Sequence, residues 1–487
     1  MFPFCCRCSR CCRNDYEPIG NEAQGQVFGV RHLQCLLLFC ALTVAYAMRV
    51  NLSVAIVAMT DRNATRPGFE VYDWDEKTKS LILSSFFWGY IVTQIPGGQL
   101  AQRFGAKFLL LAGLSICSVL TLLIPACASI GGWKLVVAVR ILEGLCQGVT
   151  FPSAHTMISK WATPEERGRL SAYVYSGSQF GTVVMLGSSG LIASSPLGWP
   201  SIFYISGIAG SIWALAWALL AASTPSRHRT ITAAERVYIE SSLGHVNETV
   251  QRRVTPWLSI MTSFPFFCLL IVHCAHNWGF WTLLTEMPTY MNSVLDMDIK
   301  KNALLSALPY LAMFISTFLF SGLADFLARN HYITLSTSRK LFNTIGHWIP
   351  MVVLLPLGYI NRDQHETAVF LLILAVGMTS ATYIGFHVNH IDLAPNHAGT
   401  LMGITNCAAN VMSIIAPLTV GIIVYDETNP ALWRTVFFLM SAIYFFGNLL
   451  FIVFGKTEPQ PWNISPVYES INATAEPVRV IDAGHQD

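Results

Sequence analysis

Long apolar runs separated by short polar segments occupy most of the chain. A helix needs about 17–25 mainly apolar residues to cross a bilayer, and twelve runs reach that length. In order, these spans are 33–59, 79–101, 108–129, 134–158, 170–194, 200–222, 263–290, 302–326, 340–360, 367–391, 398–424 and 432–454. The pattern predicts an all-α membrane protein with twelve transmembrane helices. We expect no cleavable signal peptide, because no apolar core precedes Leu33.

A polar stretch at 224–262 divides the spans into six and six, and a motif repeats between the halves. Pro164, Gly168 and Leu170 follow span four. The same residue types recur at the same offsets after span ten, as Pro395, Gly399 and Leu401. Such a repeat is typical of transporters that bind substrate between the halves. The predicted parts are an N-terminal tail (1–32), two pseudo-symmetric six-helix bundles (33–223 and 263–455), the linker (224–262) and a C-terminal tail (456–487).

Composition agrees with a membrane protein. Hydrophobic residues make up 53% of the chain and charged residues only 12%, against about 25% charged residues in soluble chains. The lipid bilayer is therefore the expected partner. A net charge of +2 provides no basic excess for nucleic acid. Lys and Arg concentrate in the loops on the same side as both tails, which predicts cytosolic termini.

The sequence lacks the signatures of common enzymes and cofactor sites. It contains no P-loop, no His-Glu-x-x-His and no Gly-x-Ser-x-Gly. We therefore expect no enzyme activity, no cofactor and no metal site. Movement of a solute against its gradient would then use co-transported Na⁺ or H⁺, and we expect the chain to work as a monomer.

Charged residues inside span four mark the candidate functional site. Helical spacing puts Arg140, Glu143 and Gln147 on one face. A charge at the bilayer centre costs at least about 2.5–3.5 kcal/mol, so this face should meet protein or a wet cavity that serves a substrate or an ion. The alternative is a structural ion pair between Arg140 and Glu143, which are one turn apart.

Arg49 lies inside span one and is expected to face the same cavity. Its planar guanidinium matches the oxygens of a carboxylate or a phosphate, although a structural ion pair is again the alternative. Glu143 is the candidate for a titrating or sodium-binding carboxylate. Gln147 and Tyr90 could contact a substrate through neutral groups.

Histidines and amides lie in the predicted gates and in span seven. His155, which follows Pro152, is interpreted as a gating residue or as the cap of a kinked helix. His276 could present a pH-dependent positive charge to an anion, or it could pack in the core. Asn389 and His390, late in span ten, are interpreted as gate or fold contacts.

Several motifs resemble a known family. The loop after span two is similar to the major facilitator motif G-x-x-x-D-R-x-G-R-K, with Gln102 in place of the acid, which weakens the charge contact of the inner gate. Its matching residues are Gly98, Gln102, Arg103, Gly105 and Lys107. Three longer stretches resemble the anion:cation symporter family: SFFWGYIVTQIPGG (85–98), GVTFP (148–152) and GFHVNHIDLAP (385–395). A fourth, HNWGFWTLLTEMPTY (276–290), is most similar to insect members named for inorganic phosphate cotransport.

Departures from the motifs narrow the branch of that family, which includes type I sodium–phosphate cotransporters, sialin and vesicular glutamate transporters. The glutamate transporters have histidine where this chain has Leu83 and arginine where it has His276. At the position of Glu143 the glutamate transporters have glutamine, and at the position of Gln147 they have glutamate. Sialin-like members have glutamate at both positions. The resemblance therefore disfavours a vesicular glutamate transporter, and Gln147 cannot titrate as sialin-type proton coupling would require.

The resemblance implies secondary active transport of a small anion. Inorganic phosphate with sodium is the first expectation. The alternatives are a proton-coupled carrier of acidic sugars or amino acids in lysosomes or vesicles, and an anion-sensing receptor without net transport. We expect a multi-pass protein of the plasma membrane rather than of a lysosomal or vesicular membrane.

Two covalent modifications are expected outside the spans. Cys5 and Cys6 lie beside Arg7 in the N-terminal tail and form a candidate palmitoylation site, with an unmodified tail as the alternative. Asn63, in the first outer loop, begins an Asn-Ala-Thr sequence that fits the pattern for N-glycosylation.

Overall fold

A computed structural model of the chain describes residues 28–60, 69–243, 255–295, 299–360, 364–426 and 428–463. Regular structure within these ranges is helical. The tail residues Cys5 and Cys6 and the sequon at Asn63 lie outside the described residues. Both modifications therefore stay predictions.

The first six spans are formed by six helices, one of which bends between spans three and four. They are α1 (Val30–Thr60), α2 (Glu76–Phe104), α3 (Ala106–Gln147), α4 (Thr150–Trp161), α5 (Arg167–Ser194) and α6 (Pro200–Leu220). Spans three and four are nearly continuous, because α3 contains span three and most of span four. Gly132 separates the two spans inside α3 with a positive φ of 57°, a conformation that glycine adopts without strain.

The second half begins after a linker helix and a single helical turn, α7 (Ala233–Ser242) and α8 (Trp257–Met261). Its spans are formed by α9 (Phe264–Ser293), α10 (Ile299–Arg329), α11 (Leu335–Leu357), α12 (His365–Thr379), α13 (Phe386–Leu393), α14 (Ala398–Ile423) and α15 (Pro430–Phe454).

Span ten is not the continuous helix that the apolar run at 367–391 predicts. α12 ends at Thr379, a 3-10 turn follows over Ser380–Tyr383, and α13 then begins. The hydroxyl of Ser380 donates to Gly377 O at 2.8 Å, and that of Thr382 donates to Thr379 O at 2.7 Å. These local bonds compete with regular helical hydrogen bonding, and hydropathy alone does not register them.

Eight helical segments among the described residues are long and apolar enough to cross a membrane. One of them, Ala106–Trp161, contains both α3 and α4 and accounts for two of the predicted spans. The helices α2, α5 and α11 also have the length of a span but are more polar. Together these segments account for the twelve predicted spans.

Helix packing follows the same scheme in both halves. In the first half α1 packs along α5 and α3 packs along α6. In the second half α9 packs along α14 and α11 packs along α15, so equivalent spans have equivalent neighbours. Between the halves, α2 packs on α14 and α5 packs on α10. The exact limits of the tails, linker and bundles stay predictions.

The linker helix α7 is fixed to the first bundle, and we call the side of the molecule that carries it the linker face. Glu235 is buried and accepts hydrogen bonds from the backbone N–H groups of Val30 and Arg31, at 2.9 and 3.1 Å. These groups form the N-terminus of α1, where a negative charge is favourable. The side chain of Thr232 caps α7 itself.

Candidate functional site

Arg140 and Glu143 form a buried ion pair on α3. Arg140 Nη1 lies 2.8 Å from Glu143 Oε2, as their spacing of three residues allows. Thr121 donates to the other carboxylate oxygen, Oε1, at 2.6 Å. Arg140 also donates to the carbonyl oxygens of Met48 and Arg49. Both oxygens of Glu143 are therefore occupied, and the charge of Arg140 is balanced.

Arg49 is held very differently. Its Nε and Nη2 donate to Gln147 Oε1 at 3.4 and 3.3 Å. Its Cζ lies 4.5 Å from the ring centre of Tyr46 and 4.4 Å from that of Tyr90, distances at which the ring faces attract a cation. Within the described ranges, Arg49 makes no ion pair with a carboxylate. The alternative of a structural ion pair is thus not realised here.

The two arginines lie near the same aromatic ring. The Cζ atoms of Arg49 and Arg140 are each 4.9 Å from the ring centre of Phe86 on α2. Gly144 permits this arrangement, because a Cβ there would collide with the carbonyl oxygen of Phe86. This group of residues contains two guanidinium groups and one carboxylate, Glu143, and therefore has one net positive charge.

The second bundle contributes an amide to the same region. Asn406 on α14 donates to Tyr90 Oη at 3.3 Å and to Gln94 Oε1 at 2.9 Å. Gln147 Nε2 donates to Ala45 O at 3.0 Å, which turns its Oε1 toward Arg49. The structure thus brings together the predicted residues Arg49, Arg140, Glu143, Gln147 and Tyr90. Sequence reasoning missed Gln94, which stands out only as a glutamine inside apolar span two.

His276 belongs to a different group of side chains from Arg49. Its ring is 5.5 Å from the rings of His347 and His387 and 5.3 Å from that of Phe386, all in the second bundle. The structure gives it no contact with Arg49 among the described residues. A direct role of His276 in binding the anion stays a prediction.

The predicted gate motif lies where the bundles meet at the linker face. Gln102 Nε2 donates to Asn396 O at 2.8 Å, so an amide makes the contact across the bundles that an acid usually makes. A Cβ on Gly98 would lie 2.6 Å from Gly399 O, so only glycine allows this close packing. Gly105 joins α2 to α3 with a φ of 91°, a conformation that favours glycine.

The two basic residues of that motif do not contact the second bundle in the described structure. Lys107 donates to Ala218 O at 3.0 Å, within the first bundle. The guanidinium of Arg103 lies over the ring of Phe104, 5.4 Å from its centre.

His155 joins the two bundles. Its Nε2 lies 3.0 Å from the carbonyl oxygen of His387, and its Nδ1 lies 2.6 Å from Tyr175 Oη. His390 lies 2.9 Å from the same carbonyl through Nδ1, and Asn389 Nδ2 donates to Lys456 O at 2.9 Å. His155 thus has the cross-bundle hydrogen bond expected of a gate, whereas the hydrogen bonds of Asn389 and His390 do not cross between the bundles.

Ion pairs that sequence reasoning did not single out close the linker face. Arg169 pairs with Asp325 at 2.9 Å, and Arg167 pairs with Asp392 at 3.4 Å, in both cases between bundles. Asp392 also accepts from Arg339 at 2.7 Å. Their sequence signal is that Arg167 and Arg169 fall inside the motif that follows span four, and Asp392 falls inside the stretch 385–395 that resembles the symporter family.

Glu166 extends this network toward the linker. It accepts from Arg31 at 2.8 Å and from Arg169 at 3.0 Å. Burial alone would raise the pKa of Glu166, but the hydrogen bond and charge of Arg31 and the charge of Arg169 outweigh it and hold that pKa below its usual range.

Comparison with known proteins decides the family. A family model described as the Major Facilitator Superfamily matches residues 38–417. The chain belongs to the major facilitator superfamily. It is therefore a multi-pass membrane transporter and not an enzyme, and the predicted all-α fold of twelve transmembrane helices in two bundles is confirmed.

Relatives of this superfamily member agree with the resemblance seen in its motifs. A Drosophila melanogaster protein named "Putative inorganic phosphate cotransporter" is 39% identical over 475 residues, which cover 93% of this chain and 89% of that protein. Sialin of Ovis aries is 40% identical over 457 residues, with coverages of 89% and 91%. Vesicular glutamate transporter 3 of Danio rerio is 37% identical over 441 residues, with coverages of 89% and 74%.

Solved structures support the fold alone. The proton:xylose symporter XylE has a TM-score of 0.65 at 16% identity, covering 88% of this chain and 95% of that one. The E. coli fucose:proton symporter FucP has a TM-score of 0.63 at 14% identity, with coverages of 86% and 98%.

Proposed function

We propose that this chain is a secondary active transporter that moves a small anion together with a cation, with Arg49 as the main contact of the anion. The observation that carries the proposal is the guanidinium of Arg49, which has amide and aromatic neighbours but no acidic partner in the described structure. It is only partly buried, and Ser53, one turn further along the same face of α1, is exposed. An anion could therefore reach the charge.

Inorganic phosphate is the proposed anion, and sodium the proposed cation. Support comes from the Drosophila melanogaster relative, whose name contains phosphate cotransport. A guanidinium fork fits phosphate or carboxylate oxygens equally well, so Arg49 itself supports only the class of anion. Each negative charge moved against the membrane potential costs about 2.3 kcal/mol per 100 mV, which a co-moving cation offsets.

Glu143 remains the proposed contact of a co-moving sodium ion, on one condition. Arg140 and Thr121 occupy its two oxygens in this conformation. A cation could therefore bind only after the carboxylate loses one of these partners during the transport cycle.

A proton-coupled carrier of acidic sugars or amino acids is the second candidate. Two observations favour it. Both carboxylate oxygens of Glu143 are already engaged, which hinders sodium binding there, and several buried histidines around His387 can take up a proton. Such a carrier would fit a lysosomal or vesicular membrane, whereas sodium coupling fits the plasma membrane that we propose first. In either case we propose that the linker face is cytosolic.

The deciding experiment is an uptake panel in proteoliposomes. Phosphate, glutamate, sialate and urate are each offered with a sodium gradient, a proton gradient or none. We expect phosphate uptake that requires sodium. Uptake of sialate or glutamate driven by protons would replace this function with the second candidate. Binding without counterflow exchange would instead indicate an anion-sensing receptor.

The variant Arg49→Gln tests, in the same vesicles, whether the guanidinium of Arg49 binds the anion. We expect apparent anion affinity to fall about 30-fold or more, because loss of a charged contact costs about 2–5 kcal/mol. Arg236→Gln is the control, since Arg236 is exposed on α7 and pairs with its neighbour Glu240. An Arg49→Gln variant with unchanged affinity would remove Arg49 from the anion site.

A further inference from the structure

Six buried histidines lie together between the bundles. We call them the histidine cluster, and each is at most 8% exposed: His155, His273, His276, His347, His387 and His390. His155 belongs to α4 of the first bundle. The others belong to α9, α11 and α13 of the second bundle. The transport site described above uses none of them as a contact of Arg49.

The six rings form one continuous series. His155 is 5.3 Å from His390, His390 is 5.8 Å from His273, and His273 is 5.4 Å from His387, measured between ring centres. His387 is 5.5 Å from His276, which is 5.5 Å from His347. The series therefore runs from the bundle interface into the second bundle.

Hydrogen bonds define which nitrogens carry a proton at the interface. The carbonyl oxygen of His387 can only accept, so His155 donates through Nε2 at 3.0 Å and His390 through Nδ1 at 2.9 Å. In this tautomer His155 Nδ1 accepts from Tyr175 Oη at 2.6 Å and also lies 3.3 Å from Phe151 O. His390 Nε2 accepts from Thr405 Oγ1 at 2.7 Å. Both imidazoles are thus satisfied in their neutral forms while the bundles are in contact.

Four other nitrogens of the cluster have no hydrogen-bond partner within the described residues. They are Nδ1 of His273, His276 and His387, and Nε2 of His347. Buried polar atoms are normally hydrogen-bonded, so this group points to a ligand that imidazole nitrogens bind. The part of the chain that the structure describes holds no three side chains arranged for a metal ion. A proton is a ligand that a single neutral imidazole nitrogen binds without further protein partners.

Neutral groups face the cluster from four neighbouring elements. Tyr175 faces it from α5, Tyr383 from the 3-10 turn, Tyr444 from α15 and Thr405 from α14. Phe386 stacks on His387 and lies against His276 and His347.

Charged groups nearby are already engaged with each other. Asp392, two residues after His390, is bound by Arg167 and Arg339. Across the described ranges, none of the six histidines forms an ion pair. An imidazolium formed here would have no counter-ion while the site is dry, and its charge would be costly. Water that enters when the bundles separate at the linker face would lower that cost.

We propose that the histidine cluster is a proton-binding site of the transporter, and that it exchanges protons when the contact between His155 and the His387 carbonyl opens. A neutral imidazole takes a proton on an open nitrogen and becomes an imidazolium. By linkage, protonation in turn favours the conformation in which the linker face is open. The inference rests on the proposed transport function and adds the proton to its cations.

The first test does not depend on the transported anion. Hydrogen–deuterium exchange at the histidine C2 position, followed by mass spectrometry of the purified full-length protein, reports the titration of single histidines. We expect the exchange rate of His273 or His387 to change with pH between about 4 and 8, because water that enters the cluster when the bundles separate lowers the cost of the charged imidazole. Exposed His331 is the control for complete titration. Cluster histidines that show no titration in this range would overturn the proposal.

The second test measures coupling. Neither His273 nor His387 makes a side-chain hydrogen bond in the described structure, so the double variant His273→Gln/His387→Gln removes imidazoles with little loss of bonding. In proteoliposomes with equal sodium on both sides, we expect the ratio of phosphate accumulation driven by a proton gradient to phosphate counterflow exchange to fall about fivefold or more. His331→Gln should keep the wild-type ratio. An unchanged ratio in the double variant would overturn the proposal.

The two tests separate this inference from the proposed function. If none of the four anions is exchanged, the transport function fails, while the titration experiment still decides whether the cluster binds protons. If phosphate is transported but the cluster does not titrate, the transport function stands and the proton site is rejected.

Discussion

Arg49 and Arg140 are the same residue type at equal distances from one phenyl ring, yet their surroundings differ. Arg140 is buried, pairs with Glu143 at 2.8 Å and donates to two backbone carbonyls. Arg49 is partly buried and contacts an amide and the faces of three aromatic rings. One arginine has its charge balanced by the protein, and the other does not.

This difference separates a structural charge from a charge that can bind a ligand. A guanidinium paired with a carboxylate in a dry site has little remaining attraction for a further anion. Aromatic faces attract a cation without cancelling its charge, so Arg49 keeps a net positive field. The comparison predicts that changes at Arg140 mainly affect folding stability, whereas changes at Arg49 mainly affect anion binding.

The largest expected effect follows from breaking the Arg140 pair. Arg140→Gln leaves the Glu143 carboxylate buried without its partner, which costs about 3–5 kcal/mol of folding free energy. The double variant Arg140→Gln/Glu143→Gln removes both charges and should recover most of that loss. Thermal unfolding of the purified protein in detergent measures both effects.

Arg236→Gln on exposed α7 is the matched control for loss of an arginine. It should change the unfolding free energy by about 0.5 kcal/mol or less, because exposed ion pairs contribute little. If the double variant is as unstable as Arg140→Gln alone, the uncompensated carboxylate is not the cause of the instability.

A smaller effect should follow from making Arg49 resemble Arg140. Gln147 Oε1 already lies 3.3 Å from Arg49 Nη2, so Gln147→Glu places a carboxylate beside the free guanidinium. The new ion pair should reduce the apparent affinity for phosphate about tenfold, which corresponds to about 1.4 kcal/mol. Concentration dependence of counterflow exchange in proteoliposomes measures the change.

Gln147→Met controls for the loss of the amide without adding a charge. Its effect on affinity should be about threefold or less, since a single neutral hydrogen bond contributes about 1 kcal/mol or below. Equal losses of affinity in Gln147→Glu and Gln147→Met would show that the amide, and not the balance of charge, determines anion binding.

Local spacing explains why much of this site could be predicted. Arg140 and Glu143 are three residues apart on one helix, so their contact follows from helical geometry. Apolar length likewise predicts the spans, because the bilayer sets the length of a helix that crosses it. The break at Ser380 was not predictable from apolar length, since it depends on hydroxyl groups that bond to nearby carbonyls.

Contacts between distant segments could not be read from the sequence. Arg169 and Asp325 lie 156 residues apart and meet only because the two bundles pack against each other. The same holds for His155 and His387, which are separated by 232 residues. Sequence reasoning identified His276 by analogy with a relative's arginine, but its neighbours come from α11 and α13 and depend on tertiary packing.

The smallest expected effect concerns the linker face, where Glu166 is another balanced charge. Arg31 and Arg169 hold the pKa of Glu166 below its ordinary value, despite opposition from burial. A carboxylate whose pKa is lower in the folded state stabilises the fold above its unfolded pKa of about 4.3. That contribution, about 1 kcal/mol, is lost as the pH falls through the lower folded-state value.

Unfolding of the wild type and of Glu166→Gln should therefore differ most at pH 5–7, and the difference should shrink below about pH 4. Glu240→Gln is the control, because Glu240 pairs with Arg236 on the exposed side of α7 and should show a smaller difference at every pH. The difference in unfolding free energy between wild type and Glu166→Gln could instead stay constant down to about pH 3. That result would mean that packing of the Glu166 side chain, and not its charge, stabilises its contacts with Arg31 and Arg169.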